Sequence, residues 1–342
     1  MIAHKHMPKI AAALMAVAVC LCLVAAMRSG AVKKALGDSG VLMGYETALF
    51  DTSQPLTVNI LMDEEDWQSM LDNATAETYY TCNVEINGEI FCRVGIRPKG
   101  NTSLTSIAND PTTDRYSFKL EFDQYVEGQT CYGLDKLVLN NNYADATYMK
   151  EAQVYDMYRF LGADASLYNY AAIYVNGEYW GTYLALEAVE DSFLLRNYGA
   201  QSGALYKPEG VDAGRGGKAV TDFFDALLEN ETYRAQYEAY LRQLAEEYVQ
   251  GGMLESFYTR TRSQIDQLVQ DDPTAFYDYD AYDDAAQMLL QVVQLRGRSV
   301  LLQLSGAEEA VDTTGIDLRI MGGMNGGFGG GEAPQGGPDR MS

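Results

Sequence analysis

One short run, VGIRPKGNTS at residues 94–103, combines cationic side chains with a glycine-containing turn. Arg97, Lys99 and the backbone around Gly100 could together hold an anion, and phosphate is the expected kind because turn N–H groups favour it. The run is not a P-loop, because it lacks the four-residue spacer and the Gly-Lys-Ser/Thr ending. The alternative interpretation is a solvated β-turn, since Gly and Asn are common in turns.

A lysine and a glutamate further along the chain could complete a phosphate site. Lys119 lies in the middle of YSFKLEF at residues 116–122, which alternates like a strand, and Glu151 lies in the first turn of the next predicted helix. Kinases hold ATP with such a pair, because the strand lysine binds the phosphates and the helix glutamate orients the lysine. The alternative is a solvent-facing lysine and a glutamate that stabilises the helix dipole.

Several other kinds of chemistry are excluded because the two histidines lie at positions 4 and 6. A domain without histidine cannot use a Ser-His-Asp or Cys-His arrangement, nor a histidine-ligated metal. An acidic run at residues 277–284, YDYDAYDD, resembles a calcium loop in composition. It lacks the central glycine and terminal glutamate of an EF-hand, so we interpret it as the acid-rich start of a helix.

The composition is that of an acidic globular protein. The formal net charge is −23, the pI is about 4.4, and 47% of the residues are hydrophobic, which is enough for a packed core. An acidic surface argues against nucleic acid as a partner, because phosphate backbones are bound by basic surfaces. The charge instead favours solubility or the attraction of a basic partner.

The N-terminus has the pattern of a signal anchor. Residues 10–27 are apolar and follow the short segment 1–9, which carries Lys5 and Lys9. The apolar run is just long enough to cross a bilayer and is too long for an ordinary signal peptide. We therefore predict a cytoplasmic segment at 1–9, a membrane anchor at 10–27, a linker at 28–54 and an extracytoplasmic domain. Basic residues also follow the run, which blurs the topology signal, and cleavage after Ala26 would release a secreted protein.

Cys82 and Cys92 flank the dipeptide Asn87-Gly88, which strongly predicts a β-hairpin. The two thiols could pair across the hairpin in an exported domain. The alternative is that these two residues and Cys131 are three reduced thiols. The sequence has no CxxC pair, which excludes a zinc ribbon.

Strand and helix signals divide the chain into two parts. Residues 55–210 combine strands with one embedded helix at 145–161, which Gly162 ends, and two Asn-Gly dipeptides mark hairpins. A short segment at 63–71 is also predicted to be helical, with Asp63 as a candidate N-cap. From residue 222 to residue 304 the hydrophobic period is helical. The glycine-rich segment 307–342 cannot bury enough apolar surface to fold, so we predict that it is disordered. This order predicts an α+β fold with a β-rich N-terminal lobe and a helical C-terminal part.

Five blocks of the sequence resemble the spore-coat protein H (CotH) kinase family. They are VGIRPKGNTS, RYSFKLEFD, YGLDKLVLNNNYADATYMKEA, YVNGEYWGTYLALEAVE and GALYKPEG, and the helical segments after residue 229 resemble the family as well. The resemblance implies an atypical, two-lobed protein-kinase-like fold over residues 55–306. It also implies ATP with Mg²⁺ or Mn²⁺, and transfer of phosphate to Ser or Thr of secreted or coat proteins.

The resemblance assigns roles to individual residues. The residues that match the family's loop over the phosphates are Arg97, Lys99, Gly100 and Asn101. Lys119 resembles the phosphate-clamping lysine, and Glu151 is the candidate for its helical partner. Glu187, at the end of YLALE, lies where the family places the linker that contacts adenine.

One departure from the family pattern affects catalysis. Family members carry a catalytic stretch with Asn and Asp, and a later Trp-Asp-x-Asp-like metal-binding block, between the LYKP strand and the RAQY helix. Here Lys207 leads through GVDAGRGGKAV almost directly into that helix. The missing parts supply the base and the metal-binding carboxylate that phosphoryl transfer needs. We therefore expect impaired catalysis, with Asp212 as a candidate substitute acid.

The sequence thus predicts an exported, membrane-anchored kinase homologue that is catalytically impaired. One alternative is a pseudokinase that acts through its surface. Another is a structural interaction protein of the cell envelope or coat, whose tyrosine-rich surface engages a partner. The expected partners are secreted, envelope or coat proteins, and the membrane through the N-terminal helix.

Overall fold

A computed structural model describes residues 41–199, 203–206, 224–307 and 310–323. The strands of this part of the chain are β1 (Leu56–Leu61), β2 (Tyr80–Ile86), β3 (Glu89–Lys99), β4 (Ser117–Glu121), β5 (Lys136–Asn140), β6 (Tyr168–Val175) and β7 (Glu178–Glu187). They form a closed barrel in the order β1-β2-β3-β4-β5-β7-β6. Every strand of the sheet therefore has a hydrogen-bonded neighbour on each side.

The barrel closes where β1 pairs with β6. These two strands are parallel, with Leu56 opposite Ala171 and Ile60 opposite Val175, whereas every other pairing of the barrel is antiparallel. The β2–β3 and β6–β7 hairpins turn at the two Asn-Gly dipeptides, and all four turn residues have positive φ. Because Asn and Gly tolerate this conformation, both hairpins form as the sequence predicts.

The α-helices with both ends described are α1 (Gly44–Ala48), α2 (Glu64–Asp72), α3 (Thr102–Ala108), α4 (Lys150–Leu161), α5 (Asp191–Tyr198), α6 (Glu231–Gln243), α7 (Met253–Gln270) and α8 (Tyr279–Leu304). Residues 224–228 are helical as well. Helix α6 continues into a π-helical turn at Leu244–Val249, and a 3₁₀ helix lies at Leu318–Met321. The predicted cap of α2 is confirmed, because the Asp63 side chain accepts a hydrogen bond from the Glu65 N–H at 2.9 Å. The predicted end of α4 is confirmed by Gly162, which adopts φ 72°.

The chain divides into two compact units. One unit comprises residues 1–43 and 189–205, and its described part contains α5. The other comprises residues 44–188 and 206–342, and it contains the whole barrel and the remaining helices. All of the site described below belongs to this second unit.

One face of each barrel strand is fully buried and fills the barrel. Ile96 lies opposite Leu120, which in turn lies opposite Leu137, so buried residues of neighbouring strands stand side by side. The completely buried residues of this inner face include Val58, Ile60, Val84, Ile86, Val94, Ile96, Phe118, Leu120, Leu137, Leu139, Ile173 and Tyr183. Burial of one such side chain contributes about 1.5–3 kcal/mol, so this interior is a main source of stability.

Short helices cover opposite ends of the barrel. Near the start of β7, Trp67 of α2 packs against Trp180 and against Phe118, with ring centroids 5.3 and 5.4 Å away. Near the end of β7, Tyr45 of α1 donates a hydrogen bond to Glu187 at 2.6 Å. The interior is therefore shielded from solvent at both ends.

The outer face of β6 and β7 packs against the helices. A second buried cluster joins these strands to the start of α4 and to α7 and α8; its members include Tyr148, Met149, Ala152, Tyr168, Tyr170, Leu184, Leu186, Phe257, Ile265, Val269, Tyr282 and Ala286. Since α4 lies against the same outer face, a polar residue in its first turn can approach the neighbouring strands β3 to β5.

The prediction of a two-lobed, protein-kinase-like fold is wrong. The strands form one closed barrel, and the barrel and the C-terminal helices belong to the same compact unit instead of forming a β-rich lobe and a separate helical part. The periodicity of the sequence identified most strands and helices, because periodicity reports local structure. It contains no signal for the parallel β1–β6 pairing, which joins distant parts of the chain.

Several predictions concern residues outside the described ranges. They are the cytoplasmic segment 1–9, the anchor at 10–27, residues 28–40 of the predicted linker, residue 212 and most of the glycine-rich tail. Among the described residues, no helix has both the length and the apolar character needed to cross a membrane.

The two hairpin cysteines lie on different faces of the sheet. Cys82 is buried, lies opposite Val94 beside a β-bulge and donates from its Sγ to the Val94 carbonyl at 3.6 Å. Cys92 is exposed, and both residues are free thiols, as is Cys131. The Cys82–Cys92 pairing that the sequence left open is therefore not formed, and the alternative of three reduced thiols agrees with the structure. Burial raises the pKa of the Cys82 thiol to about 12, so this thiol stays protonated and unreactive.

Candidate anion-binding site

The register of β3 and β4 brings three predicted cationic residues together. Arg97 lies directly opposite Lys119, and Lys99 lies two residues further along β3, opposite Ser117. Residues opposite one another in an antiparallel pair share a face of the sheet, as do alternate residues of a strand. Since the intervening Pro98 and Phe118 lie opposite each other and are both buried, the three cations project from the outer face of the barrel.

Asn140, at the end of β5, connects this cationic face to α4. The Lys99 ammonium donates to Asn140 Oδ1 at 3.1 Å, and the same amide donates from Nδ2 to Glu151 Oε2 at 2.8 Å. The sequence predicted that Glu151 would partner Lys119. In the structure, the contacts of Glu151 lead through Asn140 to Lys99.

Burial acts on both ends of this bridge. It lowers the pKa of Lys99, and the positive charges of Arg97 and Lys119 lower it as well, against the opposing attraction of Glu151. Burial raises the pKa of Glu151, although the hydrogen bond from Asn140 and the charge of Lys99 act in the other direction. Both shifts have the sign expected for charges withdrawn from water. A further anion beside Lys99 would favour its protonated form.

Arg97 lies at the edge of the site and already has a carboxylate partner. Its guanidinium pairs with Glu77, donates to the Pro98 carbonyl at 3.0 Å and lies 5.4 Å from the ring centroid of Tyr79. Because the Arg97–Glu77 pair is partly exposed, it is worth at most about 1 kcal/mol. Tyr79 donates in turn to Glu121, and burial together with that hydrogen bond raises the pKa of Tyr79 to about 12.

The turn after β3 leads directly into a short helix. Gly100 adopts φ 137°, a conformation that side chains disfavour, and a Cβ atom there would lie 2.9 Å from Ser103 Oγ. Asn101 precedes α3 without a capping hydrogen bond from its side chain. The conformation of the turn by itself therefore explains why residue 100 is glycine, whether or not a ligand binds there.

A buried ion pair fixes the backbone beside Asn140. Arg115 is completely buried and donates from Nη1 to both carboxylate oxygens of Asp272, at 2.7 and 2.8 Å. Arg115 and Asn141 also exchange two hydrogen bonds, from Arg115 Nε to the Asn141 carbonyl at 3.3 Å and from Asn141 Nδ2 to the Arg115 carbonyl at 2.5 Å. The loop between α7 and α8 therefore helps to hold the end of β5.

No sequence pattern indicated a role for Asn140, Arg115 or Asp272. A partial signal existed for Asn140, because the three asparagines of LVLNNNY follow a buried strand. No local pattern relates Arg115 to Asp272, since the partners are distant in sequence.

The other predicted site residues lie elsewhere. Glu187 is buried at the end of β7, where it accepts hydrogen bonds from the Tyr45 hydroxyl at 2.6 Å and the Leu167 N–H at 3.1 Å. These contacts tie it to the end of the barrel, and none of them connects it to Lys99. Asp212 lies outside the described residues.

The acidic run at residues 277–284 has structural partners. Asp278 caps α8 by accepting from the Ala281 N–H at 2.8 Å, as its interpretation as a helix start predicts. Asp283 pairs with Arg262 at 2.6 Å. In the part of the chain that the structure describes, no group of three or more His, Cys, Asp or Glu residues is placed to hold a metal ion.

The fold and the site define a β-barrel protein whose outer face carries clustered cations beside a partly buried carboxylate. The family model for CotH kinase proteins matches residues 96–219 and 211–300. This chain belongs to the CotH kinase family, as the sequence blocks indicated. No curated protein matches the chain.

Proposed function

We propose that this protein binds the phosphate groups of ATP on the outer face of β3 and β4. The observation that supports the proposal is the environment of Lys99. Asn140 is the only hydrogen-bond acceptor of its ammonium among the described residues. An ammonium carries three donors, so two remain for a ligand. Phosphate oxygens accept strong charge-assisted hydrogen bonds, and Lys119 adds a second positive charge nearby.

We infer that this protein binds the nucleotide but transfers its γ-phosphate poorly or not at all. Transfer needs a base for the acceptor hydroxyl and groups that neutralise the γ-phosphoryl charge. Lys99 and Lys119 have the charge for the second task. Among the described residues no group of three or more His, Cys, Asp or Glu is placed to hold a metal ion, so no step is assigned to one, and the candidate base Asp212 lies outside the described residues.

Titration of the purified full chain with ATP and MgCl₂, followed by calorimetry, tests the binding proposal. Lys99→Ala should weaken ATP binding at least tenfold, because a charge-assisted hydrogen bond contributes about 1.5–3 kcal/mol. Lys136→Ala is the matched control, since that strand lysine already lies 3.6 Å from Glu121 and 3.8 Å from Asp135. Absence of ATP binding by the wild type, or equal loss in both variants, would refute the proposal.

A transfer assay separates the two enzymatic alternatives. The full chain is incubated with ATP labelled in the γ-phosphate and with a basic test protein, in Mg²⁺ and in Mn²⁺. Binding without transfer is the expected result. Transfer that disappears in Asp212→Asn would instead show an active kinase with a rearranged catalytic acid.

The acidity of the chain supports a basic, extracytoplasmic protein as the partner. A net charge of −23 attracts basic segments and accelerates their association at low salt. The apolar residues 10–27 would carry the domain across the membrane, either as an anchor or as a cleaved signal. Binding of a basic peptide that weakens with ionic strength, with no binding of an acidic peptide of equal length, is the expected outcome.

A structural interaction protein is a second candidate function. It is favoured by α6, in which no residue is buried and Tyr233, Tyr237 and Tyr240 are exposed on one helical face. Aromatic residues are enriched in protein interfaces. If this function dominates, Tyr237→Ala should reduce capture of envelope proteins while Lys99→Ala leaves it unchanged.

A further inference from the structure

We propose that Asn140 positions Lys99 for a phosphate ligand by separating its ammonium from the carboxylate of Glu151, an inference that rests on the proposed function. A direct lysine–glutamate ion pair would compensate the positive charge and use part of the ammonium's hydrogen-bonding capacity. The amide of Asn140 is neutral, accepts one hydrogen bond from Lys99 and passes the connection on to Glu151. Lys99 is thereby oriented while its charge remains available.

The surroundings of Asn140 suit a positioning role because they hold it firmly. The adjacent Asn141 N–H donates to Ser117 Oγ at 3.1 Å, and Ser117 lies opposite Lys99 in the β3–β4 ladder. The buried Arg115 fixes Asn141 from the other side through two hydrogen bonds. These hydrogen bonds of Asn141 fix the backbone next to Asn140 to the strand that pairs with β3. Small movements of α4 therefore need not displace Asn140 or Lys99.

The charged groups that act on Lys99 come from several elements. They are Glu151 of α4, Arg97 of β3, Lys119 of β4 and Glu77, which follows the 3₁₀ helix Ala74–Ala76. Two of these groups are cations and two are carboxylates. Glu151 lies beyond Asn140, and Glu77 pairs with Arg97. Both carboxylates thus have other partners between them and Lys99. The position next to the Lys99 ammonium therefore remains open to an anionic ligand.

The double variant Asn140→Asp/Glu151→Gln tests the separation of charge. It keeps the net charge and both hydrogen bonds, because the new carboxylate at position 140 can accept from Lys99 and from the new side-chain amide at position 151. It moves the negative charge from position 151 to position 140, where the carboxylate contacts Lys99 directly. We expect tripolyphosphate and ATP to bind at least tenfold more weakly to this variant, with a melting temperature near that of the wild type.

A second readout does not require nucleotide binding. Competitive acetylation at a series of pH values, read by mass spectrometry, gives the titration of Lys99 in the full chain. The double variant should raise the pKa of Lys99, because a carboxylate in contact favours the ammonium. Asn83→Asp is the matched control, since Asn83 is an exposed strand asparagine that accepts from the Arg93 N–H at 3.0 Å.

Glu151→Gln alone covers the case in which the double variant does not fold. It should lower the pKa of Lys99, because it removes the attraction of Glu151 while a glutamine carbonyl still accepts from Asn140. Phosphate binding should then be lost at a lower pH than in the wild type.

The outcomes distinguish a failure of the Asn140 role from a failure of the phosphate-binding proposal. Wild-type affinity in the double variant, or an unchanged Lys99 titration in both variants, would overturn the role of Asn140. If the wild type binds neither tripolyphosphate nor ATP but the titration shifts as expected, the proposed function fails. The phosphate role of Asn140 fails with it, and the separation of charge remains established.

Discussion

Arg115 and Asp272 form an ion pair whose two side chains are completely buried, with oxygens at 2.7 and 2.8 Å from Arg115 Nη1. Asp272 also accepts from the Thr182 N–H of β7 at 2.8 Å. Burial lowers the pKa of Arg115, but the charge of Asp272, the nearby Tyr148 and Tyr183 and the hydrogen bond to Asp272 together outweigh it, and the net shift of the pKa is upward. The pair therefore joins the segment just before β4 to β7 and to the α7–α8 loop, and both of its groups remain charged.

Removal of one partner should be costly. Arg115→Met leaves the Asp272 carboxylate buried without its cation, which typically costs about 3–5 kcal/mol. The measurement is urea unfolding of the variant and the wild type. The double variant Arg115→Met/Asp272→Asn should recover part of the loss, because the amide is neutral and its oxygen still accepts from Thr182. A loss below about 1 kcal/mol in the single variant would mean that the pair behaves like a surface ion pair.

Phosphate binding should weaken as the pH rises through the lowered pKa of Lys99. Only the ammonium attracts the ligand, so affinity is retained below that pKa and lost above it, at a lower pH than for an ordinary lysine. ATP titrations across alkaline pH measure the midpoint, and Lys136→Ala should leave it unchanged. A midpoint at the usual lysine value would show that Lys99 is not the group that binds.

The lowered pKa of Lys99 also predicts that the folding stability rises with pH, whereas phosphate affinity falls. Between the lowered native pKa and the ordinary value, the unfolded chain binds more protons than the folded chain, so stability rises with pH. The cost of the buried charge is therefore fully present below the native pKa of Lys99. Lys99→Met should stabilise the protein at neutral pH and remove this part of the pH dependence, as measured by urea unfolding at neutral and alkaline pH. No gain at neutral pH would argue that burial of the charge is not costly.

Glu187 should be structural. Glu187→Ala removes the acceptor for the buried Tyr45 hydroxyl and for the part-buried Leu167 N–H. A buried donor left unsatisfied typically costs about 1–3 kcal/mol, so the loss for Tyr45 should be the larger. Tyr45→Phe is the matched variant, because it removes one of these hydrogen bonds from the other side. We expect both variants to melt at lower temperature and to bind ATP with wild-type affinity. Loss of ATP affinity in Glu187→Ala alone would instead support the adenine contact that the family resemblance implied.

The sequence predicted features that depend on a few neighbouring residues. The Asn87-Gly88 turn, the Asp63 cap and the end of α4 at Gly162 are each set by local backbone preferences. The closed barrel could not be predicted in this way, because it depends on the parallel pairing of β1 with β6. The family resemblance was right about membership, yet the architecture attached to it was wrong.

The same distinction applies to the site. Arg97 and Lys119 were predicted from their types, and the β3–β4 register explains why they meet. The bridge from Lys99 to Glu151 depends on Asn140, which comes from a third strand. Its position is set by packing of β4 on β5 and of α4 on the barrel, and a one-dimensional pattern does not report such packing.

Gly100→Ala tests whether the turn after β3 supports the site. The added Cβ would meet Ser103 Oγ at 2.9 Å and Leu104 Cβ at 3.3 Å, at φ 137°. A backbone strained in this way costs about 1–3 kcal/mol, so the variant should unfold at a lower urea concentration. Gly128→Ala is the control for conformation alone, since Gly128 has φ 74° and nothing within 4 Å of the added atom.

The comparison of the two glycine variants also reports on function. If the turn holds the end of β3 in place, Gly100→Ala should displace Lys99 and weaken tripolyphosphate binding severalfold, because Lys99 immediately precedes the turn. Gly128→Ala, which lies outside the site, should leave binding unchanged despite its own conformational cost. Equal affinities in both variants would show that the turn closes the strand without orienting Lys99, and the phosphate site would then depend on the β3–β4 ladder and Asn140 alone.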